Sequence, residues 1–236
     1  MQQLDKRYVI LFTHLISPLV ILGAFYYLTI PYALLSLTMF FLMRCIGSVI
    51  TYHRILGHNS HKFRNKVLEI FCISLGFYGS MASPIGFCAS HTLHHKYVDT
   101  DKDPHPSLIG WKRMFPIYWN NSGPMGGDVR TVVRLMRNKT VNFYETYYWY
   151  LIFLPIVLLV YPKIFLFLFL LPMCLTQLSL SLSTLNHDGT GPKDMGIIFG
   201  ILTCGEHHHV WHHNNPGDTS GEGLIHNIAN CIGIKN

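Results

Sequence analysis

Long apolar runs, set almost end to end, constrain this chain more than anything else in it. Val9 to about Thr29 and Tyr32 to about Val49 are separated only by the turn at Pro31. Phe143 to Val160 and Ile164 to about Leu185 are separated only by Tyr161, Pro162 and Lys163. At 1.5 Å per residue, runs of about 20 residues cross a hydrocarbon layer of roughly 30 Å. Charged residues make up 13% of the chain, about half the usual share of a soluble domain. The expectation is an all-α integral membrane protein with four spans, about 9–29, 32–49, 143–160 and 164–185, in two tight hairpins. The first run has no small-residue cleavage site after it and reads as a span rather than a removed signal. A fifth apolar stretch, Val67 to Ala89, is rich in glycine, serine and proline. It reads as a re-entrant or interfacial segment, because a full crossing would separate the polar stretches on either side of it. Its small residues allow close helix packing or leave open space beside the spans.

The charges agree with this layout. Of 18 lysines and arginines, Arg44 lies in a span, where its long side chain can snorkel, and Lys163 lies in the short turn. The rest fall in residues 1–7, 54–139 and 193–235. Two hairpins put all of these on one side, together with both termini, and the positive-inside rule makes that side cytoplasmic. The net charge of +6 therefore speaks for anionic headgroups and not for nucleic acid. The six cysteines are scattered with no C-x-x-C pair, which reads as free thiols and not as a disulfide framework or thiolate metal site. Residues 1–236 form one domain. Trp111, Phe115, Tyr118 and Trp119 suit a loop at headgroup level. Arg130, Arg134 and Arg137 share one helical face; a solvated or lipid-facing surface and a specific head-group contact both account for them. Leu224–Ile232 reads as an interfacial or packing helix.

The polar remainder is dominated by histidine, 15 in all. Two stretches read H-x-x-H-H: His91, His94, His95 and His209, His212, His213. On a helix the adjacent pair diverges by about 100°, so each cluster offers imidazoles in two directions and suits two nearby metals better than one. His53 and His58 are five apart, about 140° on an ideal helix. They serve different metals or need local unwinding. His187 stands alone at the end of the fourth run, on the same side. These nine are too many for one tetrahedral zinc, whereas two six-coordinate ions can absorb them; imidazole alone does not choose among iron, copper, zinc and nickel. Paired Glu-x-x-His motifs and H-E-x-x-H are absent, and the single match, Glu206 to His209, makes Glu206 an orienting partner for a ligand imidazole. Asp99, Asp101, Asp103 and Asp188 can play the same part. His61, His105, His207, His208 and His226 read as surface or supporting residues.

The motifs His53-Arg54-Ile55-Leu56-Gly57-His58, His91-Thr92-Leu93-His94-His95 and His209-Val210-Trp211-His212-His213, with Gly205-Glu206 before the last, resemble the three histidine boxes of membrane fatty acid desaturases of the stearoyl-CoA-desaturase-like branch. The order, spacing and placement among the runs are similar over residues 9–230. The resemblance implies a mushroom-shaped helical fold with a cytosolic histidine-rich cap and two iron ions on nine histidines, His187 being the one outside the boxes. It also implies dioxygen as co-substrate, a fatty acyl substrate carried on CoA or a glycerolipid, and a separate electron donor of ferredoxin or cytochrome b5 type. It places the double bond near mid-chain. Where the family commonly has an asparagine that contacts one iron through water, this chain has Ser183, with Asn186 nearby. A di-iron lipid or alkane hydroxylase and a membrane metal-binding protein are the competing readings.

Overall fold

The computed structural model describes residues 7–100, 102–104 and 127–236. The expected aromatic loop at Trp111, Phe115, Tyr118 and Trp119 lies outside them, as do Asp101 and His105. Helix α1 (Arg7–Tyr27) is followed at once by α2 (Ile30–Gly57), which has Pro31 in its first turn, where no backbone N–H is needed. A short strand β1 (His61–Phe63) leads to α3 (Lys66–Ser80) and α4 (Pro84–Tyr97). Asn65 and Ser83 cap these two helices by accepting the amides of Leu68 and Gly86. Then come α5 (Val129–Met136), α6 (Lys139–Thr146), α7 (Tyr148–Val160), α8 (Pro162–Asn186), α9 (Ile197–Thr203), α10 (His209–Asn214) and α11 (Leu224–Ile232). Strand β2 (Gly233–Lys235) closes the described chain, antiparallel to β1 with His61 opposite Lys235.

The helices wear their apolar side chains outward. Leu15, Leu19 and Leu22 on α1 are 68–71% exposed. The polar residues Thr13, Ser17, Ser36, Ser48, Thr51, Thr176, Gln177 and Ser179 are buried. That inversion suits a lipid surround, where interior hydroxyls and amides bond across helices. Ser36 Oγ donates to the carbonyl of Phe167 at 2.7 Å, Gln177 Nε2 donates to that of Gly79 at 2.8 Å, and the His14 ring bonds the Ser181 hydroxyl. These contacts gather α1, α2, α3 and α8. At one end the two tight turns meet, with the Lys163 ammonium 5.5 Å from the centre of the Tyr27 ring.

By length and composition, α1, α2 and α8 can each cross a membrane, and up to five crossings result if each of two bent pairs counts as one. One of the bent pairs changes what was expected. The apolar run 143–160 is not one straight helix: α6 and α7 meet at 71° about Tyr147. Asn138 starts α6 at a position that buries Val141 and Tyr144, and Tyr148 is then drawn inward to donate to the carbonyl of Met81 at 2.7 Å. The stretch 67–89 is also two helices, α3 and α4, at 75°, broken where Met81 takes a left-handed φ of 52° ahead of Pro84.

Arg44 and the end of α2 depart from expectation. Arg44 does not snorkel: it is 2% exposed, and donates Nε to Ser179 and Nη2 to Ser183 on α8. At Gly76 and Gly79 the small residues of α3 serve close helix packing. A Cβ on Gly47 would strike the backbone of Leu75 and Gly76, one on Gly76 the ring of Tyr52 at 2.5 Å, and one on Gly79 Met43 at 2.9 Å. The glycines are spent on close approach of α2 and α3. Finally, α2 does not stop near Val49 but runs to Gly57, because α3, α4 and α11 cover its polar end.

Candidate metal centre

That polar end of α2 carries the first box. From Leu42 onward the helix winds in wide turns, with backbone bonds from residue i+5 to residue i. The His58 amide donates to the carbonyl of His53 at 3.1 Å. The wide turn puts residues five apart on one face, and the two rings sit with centroids 5.3 Å apart. Local unwinding, one of the two alternatives left by the spacing, is what the chain does. Box two rides on α4 and box three on the short α10. His187 follows α8 in extended backbone, fixed by a bridge to Pro192.

The four sources converge in two groups. His53, His58, His91, His95 and His212 offer ring nitrogens that all lie within 4.8 Å of one another, as do those of His94, His187 and His213. His209 joins the second group, its Nε2 lying 2.8 Å from that of His187 and 3.1 Å from that of His213. In the first group Nε2 of His53 and His212 are 2.7 Å apart, those of His58 and His91 2.9 Å, and those of His95 and His212 3.0 Å. Each H-x-x-H-H motif splits between the groups, in mirror fashion. His91 and His95 point one way and His94 the other; His209 and His213 point one way and His212 the other.

The inward atoms are Nε2, and carboxylates stand at the outward Nδ1 atoms of five of the nine rings. Asp103 contacts Nδ1 of His94 at 2.8 Å, and Asp99 approaches that of His187 at 3.4 Å. Glu206 sets one oxygen 3.2 Å from Nδ1 of His53 and the other 3.7 Å from that of His209. Glu222 lies 3.4 Å from Nδ1 of His212. The longer of these contacts orient by charge more than by a well-formed hydrogen bond. A proton held on Nδ1 leaves the Nε2 lone pair free, as metal ligation requires. Burial, then neighbouring imidazoles, push the His209 ring well below its ordinary pKa. Burial and Arg54 do the same to His212, and burial and His94 take His213 down to about 2. Neutral imidazoles with lone pairs converging at under 3.3 Å cannot all satisfy one another; a cation at each group would satisfy them. The donor set therefore fits two metal ions. Arg54 Nη1 lies 2.6 Å from Nε2 of His53 and 2.8 Å from that of His212, a cation drawn to the same lone pairs, and its other nitrogens are held by Glu222 and Glu206.

Not every candidate is brought in. Asp188 is exposed and closes a turn by accepting from Thr190, while Asp99 takes the place beside His187. Ser183 serves Arg44 and donates to the carbonyl of Ser179. Asn186 is fully buried and donates to the Glu206 carbonyl at 2.6 Å, tying the approach to His187 to the approach to box three; its Oδ1 has no partner among the described residues. Arg134 turns inward and donates to the carbonyls of Leu56 and Gly57, whereas Arg130 and Arg137 are exposed. His61 and His226 bond Asn230. Glu222 is the contributor that sequence reasoning missed; nothing in its local spacing marks it.

A family model described as "Fatty acid desaturase" matches residues 27–219, most of the chain. Among curated proteins, the chain is 36% identical over 77 residues to "Acyl-CoA 5-desaturase AL21" of Anemone leveillei, covering 33% of this chain and 24% of that protein. It is 28% identical over 120 residues to "sn-1 stearoyl-lipid 9-desaturase" of Anabaena variabilis, covering 48% and 42%. It is 25% identical over 203 residues to "Probable acyl-CoA desaturase" of Schizosaccharomyces pombe, covering 73% and 40%. The matched stretches span less than half the length of each of these relatives.

Proposed function

The chain belongs to the fatty acid desaturase family, and on that premise we propose that it is a di-iron, oxygen-dependent desaturase. It removes two hydrogens from adjacent methylenes near the middle of a long fatty acyl chain carried on CoA or a glycerolipid, leaving a cis double bond. The observation that carries this reading is the sorting of nine imidazoles into a group of five and a group of four with carboxylates behind them. His53, His58, His91, His95 and His212 would hold one iron, and His94, His187, His209 and His213 the other. The chemistry that bound iron would supply is reduction of dioxygen to two waters, with two hydrogen atoms from the acyl chain, two electrons from a separate ferredoxin- or cytochrome b5-type donor and two protons from solvent.

The chain's own residues prepare that chemistry. Glu206, Glu222, Asp99 and Asp103 hold protons at Nδ1 of His53, His94, His187, His209 and His212, which fixes those tautomers and aims their Nε2 atoms. Burial of His53, His94, His187, His209 and His212 excludes water that would quench a strong oxidant. We place the whole of 1–236 in one domain with four crossings, α1, α2, the bent α6–α7 pair and α8, and with α3–α4 re-entering. The meeting of the two turns at Lys163 and Tyr27 supports two hairpins facing one way. The charge distribution supports a cytoplasmic face for the histidines and both termini.

Expression in a desaturase-deficient host, followed by gas chromatography of its fatty acids, tests the reading. New cis-monoenoic chains are expected, and none from His94→Ala or His212→Ala. Hydroxylated chains without alkenes would replace desaturase by hydroxylase, and full activity in either variant would remove the metal assignment.

A further inference from the structure

Helix α5 has three faces and only one of them is packed. Thr131 and Leu135 are buried against the protein. Val129, Val133 and Met136, at i, i+4 and i+7, are 60%, 47% and 56% exposed. Beside that apolar stripe lie Arg130 and Arg137. Arg130 and Arg137 are exposed and make no ion pair among the described residues. An exposed apolar stripe bordered by arginines is the pattern of a helix lying in a membrane interface, its apolar side among acyl chains and its cations at phosphates.

The level of α5 in the fold agrees. Asn138, just past its end, donates to Glu69 at 2.7 Å, and Glu69 stands in the first turn of α3. The first exposed apolar stripe of α3, Val67, Ile70 and Phe71, begins at that same layer. The third arginine points the other way. Arg134 donates to the last two carbonyls of α2, those of Leu56 and Gly57, the latter at 3.0 Å, and lies 3.4 Å from Oδ1 of Asn59. It caps the helix end that carries His58.

We propose that α5 is an anionic-lipid contact whose docking into the bilayer interface steadies the end of the first-box helix through Arg134. Acidic phospholipid headgroups engage Arg130 and Arg137; the helix settles; Arg134 is held against Leu56 and Gly57. This does not rest on the desaturase reading and needs no metal.

The test uses the full chain in nanodiscs of phosphatidylcholine, with and without one third phosphatidylglycerol. A nitroxide at Val133→Cys, in a Cys231→Ser background, reports accessibility to oxygen and to a water-soluble nickel chelate. With acidic lipid the label is expected to be open to oxygen and shielded from nickel. That shielding should weaken in pure phosphatidylcholine and in the Arg130→Gln/Arg137→Gln double variant. Hydrogen exchange at residues 56–59 should slow with acidic lipid, and Arg134→Gln should remove that slowing while leaving the Val133 signal in place. Nickel access in both bilayers, shielding from oxygen and nickel alike, or shielding independent of lipid charge would each overturn the proposal. So would unchanged exchange at 56–59 upon adding acidic lipid.

Discussion

Glu222 sets a carboxylate oxygen 3.4 Å from Nδ1 of His212, on the side of the ring that faces away from the cluster. The same carboxylate grips Arg54 through both oxygens at 2.8 Å. Both side chains are buried. Glu222→Ala would leave the buried Arg54 guanidinium with Glu206 alone, at 3.5 Å, costing about 3 kcal/mol, and would free the His212 ring to turn. Metal affinity of the five-histidine group should drop roughly 10–100-fold. Glu222→Gln keeps a hydrogen-bonding partner and should recover much of the stability but not the affinity. Thermal unfolding and iron titration of both variants check this; wild-type affinity in Glu222→Ala would refute it.

Acid should loosen the centre. The His209, His212 and His213 rings are held below the ordinary value of 6.5, the last at about 2. Between the lowered value and 6.5 the unfolded chain binds more protons than the folded one, so stability rises with pH across that window. It is fully present above about 6.5 and is lost as pH falls below it. Metal should leave over the same range, since only neutral imidazole binds it. Unfolding temperature and bound iron measured from pH 7.5 to 4.5 should fall together. A flat profile would count against the burial that lowers these rings.

Two glycines should answer the same substitution with opposite signs. Gly76→Ala pushes a methyl into the Tyr52 ring and the Gly47 carbonyl, costing about 1–3 kcal/mol. Gly23→Ala on α1 meets nothing within 4 Å and should gain up to about 1 kcal/mol from helix propensity. Melting curves in detergent would separate them by several degrees.

Arg44 tests whether its charge or its bulk matters. Its two serine partners also have carbonyl acceptors, Leu202 for Ser179 and Ser179 for Ser183, so they are not orphaned when it goes. Arg44→Met, which fills similar space, should stay within about 1 kcal/mol of wild type. Arg44→Ala, which leaves a cavity, should cost about 2–4 kcal/mol. Equal losses in both would mean that the buried charge, and not the volume, is what α8 needs.

The divergence within each H-x-x-H-H motif was legible, because helical angle separates its adjacent pair, and in the fold His94 parts from His95 and His212 from His213. Apolar run length likewise found α1 and α8. What could not be read came from partners distant in sequence. Arg44 looks like a snorkelling residue until Ser179 and Ser183 stand beside it. Asp188, adjacent to His187, looked as good a support as Asp99, which only folding brings near. Glu222 has no local signature at all. The bend at Tyr147 was hidden because hydropathy counts residues and does not register the pull of Tyr148 toward Met81.

The wide winding of α2 has a bearing on insertion and deletion. On an ordinary helix the same two imidazoles would be delivered by residues four apart, as His91 and His95 are. Spacing and winding thus form a single choice. Removing one residue between His53 and His58 would be harmless if the helix rewound, and would swing one ring out of the site if it did not. The extra residue is a register shim. It lets one end of a long helix be phased to the imidazoles while the other end keeps its own phase against α8.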